Sequence, residues 1–118
     1  MQRKELYKKW INLIRPLFPN SARFRTYFKS RDYCIAIDWL LKTDLNRPRK
    51  KSKVIEITIR EEFINDYLEK NADQRIKIDK GLAEFIKQKL SVFDPDHNKI
   101  RYQRRPVEEW LVSSIIDD

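Results

Sequence analysis

Two segments near the middle of the chain have the alternating pattern of half-buried β-strands. Residues 33–41 place large apolar side chains at every second position, and residues 53–59 do the same with Ile55, Ile57 and Ile59. Period-two alternation in a run of β-branched residues is typical of strands. We therefore predict a β-hairpin made of about residues 33–41 and 53–59.

Apolar residues elsewhere recur at helical spacing, with neighbours three and four positions apart. These stripes predict helices near residues 6–17, 24–28, 63–68, 82–90 and 107–115. Shorter alternating runs indicate two further strands, near residues 75–78 and 99–103. Together the elements predict an α+β fold, in which four to five helices pack on one side of a small antiparallel sheet.

The segment between the two main strands is strongly basic. Residues 42–53 contain six Lys or Arg side chains and no Gly, and they are too polar to join a core. We expect them to form a mobile, basic hairpin loop of about residues 42–53. The full length of 118 residues suffices for one modest core, so we predict a single domain spanning residues 1–118.

Charge changes this picture, because it is divided unevenly along the chain. The net charge is +8, from 26 basic and 18 acidic side chains. Residues 1–53 contain 15 basic and 4 acidic side chains, whereas residues 54–118 contain 11 basic and 14 acidic ones. Such an asymmetry suggests a polyanionic partner for the basic half.

The rest of the composition excludes several classes of protein. One Cys and one His exclude a disulfide framework and a Cys- or His-based metal centre. No P-loop, GxSxG, HExxH or paired CxxC motif occurs, so we predict a non-catalytic protein without a cofactor or metal. No run approaches the roughly 20 apolar residues of a membrane span, and no apolar signal segment follows the basic start. We therefore expect a cytoplasmic protein without a transmembrane segment.

Our leading hypothesis is a DNA- or RNA-binding or accessory protein. Basic side chains that neutralise phosphates release condensed counterions, which favours binding at low salt. Basic residues near position 25 alternate with Phe24, Tyr27 and Phe28, a mixture that suits single strands, although the helical spacing of these aromatics favours core packing. The candidate contacts are Arg47, Arg49, Lys50, Lys51 and Lys53 in the loop, with Arg23, Arg25 and Lys29 before it.

Two alternatives stay open. The first is a protein-interaction module whose basic half meets an acidic partner. The second is a metal-dependent nuclease using Asp38 and Glu56, which lie side by side if Ile37 pairs with Ile57 in the hairpin. The carboxylate–spacer–lysine pattern of restriction-endonuclease-like sites is not met, because Thr58 stands where the lysine belongs.

Overall fold

A computed structural model describes residues 1–41, 50–97 and 104–113 of the chain. Within these residues three α-helices and four strands follow one another, with a short 3-10 turn at Arg15–Leu17. The elements are α1 (Arg3–Ile14), β1 (Arg23–Lys29), β2 (Asp32–Asp38), β3 (Val54–Ile59), α2 (Glu61–Glu69), α3 (Ala72–Ser91) and β4 (Val107–Val112). The predicted α+β class is therefore confirmed.

The four described strands form one mixed sheet in the order β1-β2-β3-β4. The first three form an antiparallel meander, and β4 pairs in parallel with β3. A parallel pair needs a long crossover, and α2 and α3 lie within the one between β3 and β4. As a result, β1, β3 and β4 begin at the same end of the sheet, and β2 ends there.

Side chains alternate between two different faces of this sheet. The apolar face contains the isoleucines of β2 and β3, which are fully buried, and Trp110 of β4. These residues belong to one hydrophobic cluster, which also includes Trp10 of α1, Ile64 of α2 and Ile86 of α3. We call the opposite side the polar face; its described strand residues contribute nothing to that cluster. The expectation that helices pack on one side of the sheet agrees with this arrangement.

The hairpin predicted over 33–41 and 53–59 is present as β2 and β3, but its register differs. Ile37 pairs with Ile55 rather than with Ile57, so the predicted alignment is wrong by two residues. The shift by two keeps every side chain on its predicted face, because strand side chains alternate with a period of two. Directly across from Glu56 lies Ala36, not Asp38.

Residues 24–28 were predicted as a helix and instead form the middle of β1. Only two residues, Ser30 and Arg31, connect β1 to β2, and Ser30 has a left-handed φ of 55°. A positive φ in a two-residue connection matches the right-handed twist of a β-hairpin. Pairing with β2 therefore decides the conformation of a segment whose own pattern is ambiguous.

The other end of the chain also differs from its predicted conformation. Residues 107–112 belong to β4 rather than to a helix, and residues 75–78 lie inside α3 rather than in a strand. Asn71 begins α3 through a reciprocal capping box with Gln74, so this helix starts before the alternating isoleucines. The strand predicted at 99–103 lies outside the described residues, as does the loop segment 42–49. The predictions of an antiparallel sheet and of four to five helices are therefore wrong. The sheet is mixed, and the described residues form three α-helices.

Candidate nucleic-acid interface

Strand β1 presents a row of polar side chains on the polar face. Because successive strand residues point to opposite sides, Arg23, Arg25, Tyr27 and Lys29 share one face, while Phe24 and Phe28 point to the other. Neighbours in this row are about 6.8 Å apart along the strand. We call these four residues the β1 row. It lies at one edge of the described sheet, since β1 has a described neighbour on one side only.

The two arginines of the β1 row are exposed and form no ion pair with a described residue. Neither Arg23 nor Arg25 makes an ion pair or a side-chain hydrogen bond with any other described residue. Lys29 differs, because its ammonium group lies 2.5 Å from a carboxylate oxygen of Glu56. Within the β1 row, the positive charge available to a ligand is therefore concentrated at Arg23 and Arg25.

Glu56 of β3 is the centre of a small hydrogen-bonded group on the polar face. Its second carboxylate oxygen accepts a hydrogen bond from the hydroxyl of Tyr27. Burial by itself raises the pKa of Glu56, but the hydrogen bonds from Lys29 and Tyr27 outweigh it, so the pKa lies below its ordinary value. The bond to Glu56 raises the pKa of Lys29, whereas burial and then Glu56 raise that of Tyr27. These groups keep Lys29 charged and Tyr27 neutral.

At the opposite edge of the sheet, the polar face has one acid, Glu109, between two exposed apolar residues, Val107 and Leu111. Glu109 of β4 is exposed and lies across from Glu56 in the parallel register. An anionic ligand would therefore favour the β1 side of this face over the β4 side. Between the two edges, the small residues Cys34, Ala36 and Thr58 are all buried and lie on the same face as the carboxylates of Asp38 and Glu56.

The structure places Lys50, Lys51 and Lys53 at the end of the sheet where Arg23 lies. Lys51 and Lys53 stand just before β3, and neither has a described ion-pair partner. Lys50 is paired with Asp96 and is therefore partly neutralised. Arg47 and Arg49 lie outside the described residues. Of the eight candidate contacts, four unpaired cations remain described: Arg23, Arg25, Lys51 and Lys53.

The two carboxylates of the nuclease hypothesis share the polar face, but each is held by a cation. A guanidinium nitrogen of Arg105 lies 2.7 Å from Asp38, and Lys29 contacts Glu56. Within residues 1–41, 50–97 and 104–113, no three His, Cys, Asp or Glu side chains are grouped so that they could hold a metal ion. The nuclease remains a hypothesis, and nothing in this geometry favours it.

The sequence alone does not assign two residues to this surface. The basic and aromatic mixture around Tyr27 suits single strands, but its helical spacing favours core packing, and Arg105 is not connected with Asp38. The pattern Arg-Phe-Arg-Thr-Tyr-Phe-Lys from residue 23 contains the signal for Tyr27, because its polar and basic members alternate with Phe24, Thr26 and Phe28. No local pattern indicates the pair of Asp38 and Arg105, since the two residues are distant in sequence.

No helix in the described part of the chain is long and apolar enough to cross a membrane. Comparison with models of protein families, with curated proteins and with solved structures finds no match for this chain.

Proposed function

We propose that this protein binds nucleic acid, with the β1 row as the centre of the contact. The observation that carries the proposal is the pair Arg23 and Arg25, two exposed guanidinium groups on one face without a carboxylate partner among the described residues. Guanidinium groups donate paired hydrogen bonds to phosphate oxygens, and they stay charged at any physiological pH.

Other cations extend this surface beyond the two arginines. Lys29 lies in the same row, and Lys51 and Lys53 add charge at the end of the sheet where β1 begins. Arg47, Arg49 and Lys50 are further candidates from the sequence. A surface of this kind contacts the phosphate backbone and does not by itself read a base sequence.

The proposal predicts a specific dependence on salt. Each phosphate contact contributes about 0.7 to 0.9 to the slope of log affinity against log salt concentration. Changing both arginines to glutamine (R23Q/R25Q) should therefore lower the slope by about 1.4 to 1.8 and weaken binding most at low salt. Fluorescence anisotropy with labelled oligonucleotides at about 50 and 200 mM salt measures both quantities.

A matched control is available on α3. Lys77 and Lys80 are exposed and have no described ion-pair partner, so K77Q/K80Q removes the same charge far along the chain from β1. Binding that falls in R23Q/R25Q and persists in K77Q/K80Q supports the proposal. An absence of binding at low salt, or an equal loss in both variants, contradicts it. The variant R47Q/R49Q tests the loop candidates in the same assay.

A further inference from the structure

Resting on the proposed function, we infer that the ligand is a single-stranded nucleic acid, and that one of its bases stacks on the ring of Tyr27. The ring stands between Arg25 and Lys29 on the same face, each two residues away along the strand. An aromatic ring flanked by cations serves both parts of a single strand, because bases stack on the ring while the cations meet the phosphates.

Among the residues that the structure describes, the ring of Tyr27 has no aromatic partner, unlike the rings of Phe24 and Phe28. Phe24 packs against Phe18, and Phe28 packs against Tyr7 and Tyr33. Tyr27 is partly exposed and makes no such ring contact with the described residues. Its position on the polar face therefore serves no described part of the hydrophobic core.

The hydroxyl of Tyr27 explains how the ring is held without core packing. It donates a hydrogen bond to Glu56, which is itself mostly buried and is fixed by Lys29. A ring anchored at its outer end loses little conformational freedom when a base stacks on it, which favours binding. Glu56 acts here as a positioning residue, since it touches the ring's hydroxyl and is not needed to touch the ligand.

The shape of the sheet favours a single strand over a duplex. Four strands about 4.8 Å apart span roughly 14 Å before side chains are counted, which exceeds the major-groove width of about 12 Å. The sheet therefore does not fit face-on into the groove, and the described helices bury their apolar faces against the sheet. In a duplex the faces of the bases are also stacked on each other, so the ring of Tyr27 would have no base to contact. An unpaired strand can lie along the β1 row with its bases turned towards the sheet.

The test compares three polyanionic probes, used at equal phosphate concentration, and two neighbouring substitutions. The probes are a labelled oligothymidylate of about twelve nucleotides, its duplex with oligoadenylate, and inorganic polyphosphate, which has phosphates but no bases. The substitution Y27L removes the ring from the polar face. The matched control F28L removes the next aromatic ring of the same strand, which is 58% exposed on the opposite face.

We expect Y27L to weaken binding of the single strand by about fivefold or more and to leave polyphosphate binding unchanged. F28L should leave both affinities unchanged. If Y27L binds the single strand as tightly as the unaltered protein, or if the duplex binds as tightly as the single strand, the inference is wrong while the proposed function stands. If none of the three probes binds, both are wrong.

A second variant keeps the inference testable should Y27L fail to fold. Y27W retains an aromatic ring and enlarges the surface on which a base can stack. It should bind oligothymidylate at least as tightly as the unaltered protein, with no gain for polyphosphate. The stacking assignment is wrong if Y27W has an unchanged circular dichroism spectrum and binds the oligonucleotide more weakly, while its affinity for polyphosphate is unchanged.

Discussion

Asp38 and Arg105 form an ion pair across β3, with a guanidinium nitrogen 2.7 Å from the carboxylate. The carboxylate side chain is 7% exposed and that of Arg105 28% exposed, so the pair is largely removed from water. Arg105 also donates a hydrogen bond to the carbonyl oxygen of Ser52, 3.1 Å away. One side chain thus connects the end of β2, the residues before β3 and the start of β4.

Removing the cation of this pair should cost more stability than removing the anion. R105A leaves a buried carboxylate without an ion-pair partner among the described residues, and we expect it to lower the free energy of unfolding by about 2–4 kcal/mol. D38N leaves an arginine that can still reach water and an amide oxygen that still accepts a hydrogen bond, so about 1–2 kcal/mol is expected. Urea denaturation measures both values. Equal losses in the two variants would contradict the asymmetry.

Neutralising Glu56 should strengthen the binding of polyanions. E56Q removes a negative charge beside the β1 row and releases the charge of Lys29, while the amide oxygen still accepts a hydrogen bond from Tyr27. We expect an increase in affinity of about two- to fivefold at low salt, as for other partly exposed charges. The control E69Q removes an exposed charge from α2. A similar increase in E69Q would show that only net charge matters.

The lowered pKa of Glu56 makes folding stability depend on pH in the acid range. A carboxyl group whose pKa is lower in the folded state than in the unfolded state stabilises the fold when it is ionised. For Glu56 this stabilisation is complete above the unfolded-state pKa of 4.5, and it is lost as the pH falls through the lower, folded-state pKa. The hydrogen bond from Lys50 also lowers the pKa of Asp96, from 3.8, so this group contributes in the same direction.

Unfolding by urea at a series of pH values should therefore give a nearly constant free energy above about pH 5 and a decline below it. The decline should be shallower in E56Q than in the unaltered protein. A decline of the same steepness in both proteins would show that Glu56 is not responsible.

Cys34 should react slowly with thiol reagents while the protein is folded. The side chain is fully buried in β2, and burial raises the pKa of the thiol, which reduces the reactive thiolate. Labelling with a maleimide should be slow in buffer and fast in concentrated urea, as followed by mass spectrometry. Equally fast labelling in buffer would contradict the burial of Cys34.

Replacing Gly81 by alanine should stabilise α3. Gly81 lies in the interior of this helix, and a Cβ atom there would meet no described atom within 4 Å beyond its chain neighbours and its own helix backbone. Glycine inside a helix costs about 0.5–1 kcal/mol relative to alanine, so G81A should raise the free energy of unfolding by about that amount. A lower melting temperature in G81A would indicate a contact that the structure does not contain.

The sequence predicts those elements for which only one periodicity fits. The hairpin of β2 and β3 follows from β-branched residues that alternate strictly, and α1 follows from Leu6, Trp10 and Ile14, all fully buried in the structure. In both cases the local pattern and the final packing agree, which makes local reasoning sufficient.

Strands β1 and β4 could not be predicted from local patterns, and the reason is physical. Phe24, Tyr27 and Phe28 fit a helical stripe as well as an alternation, and the helical spacing of Val107 with Trp110 likewise misled the prediction for β4. Both segments become strands because β2 and β3 offer unpaired backbone edges, a long-range effect without a local signal. The candidate site depended on β1, so its cations were predicted but their shared face was not.

The parallel pairing of β4 has a consequence for how the chain reaches its native state. Residues 60–106 separate β3 from its partner, so this last pairing closes a long loop, whereas the meander of β1 to β3 can assemble from near neighbours. Before β4 pairs with β3, the backbone groups on that edge of Val54–Ile59 are unpaired, and the strand is rich in isoleucine. It can then pair with the same strand of another molecule. Refolding yield should consequently fall as protein concentration rises, even though the finished molecule covers that edge.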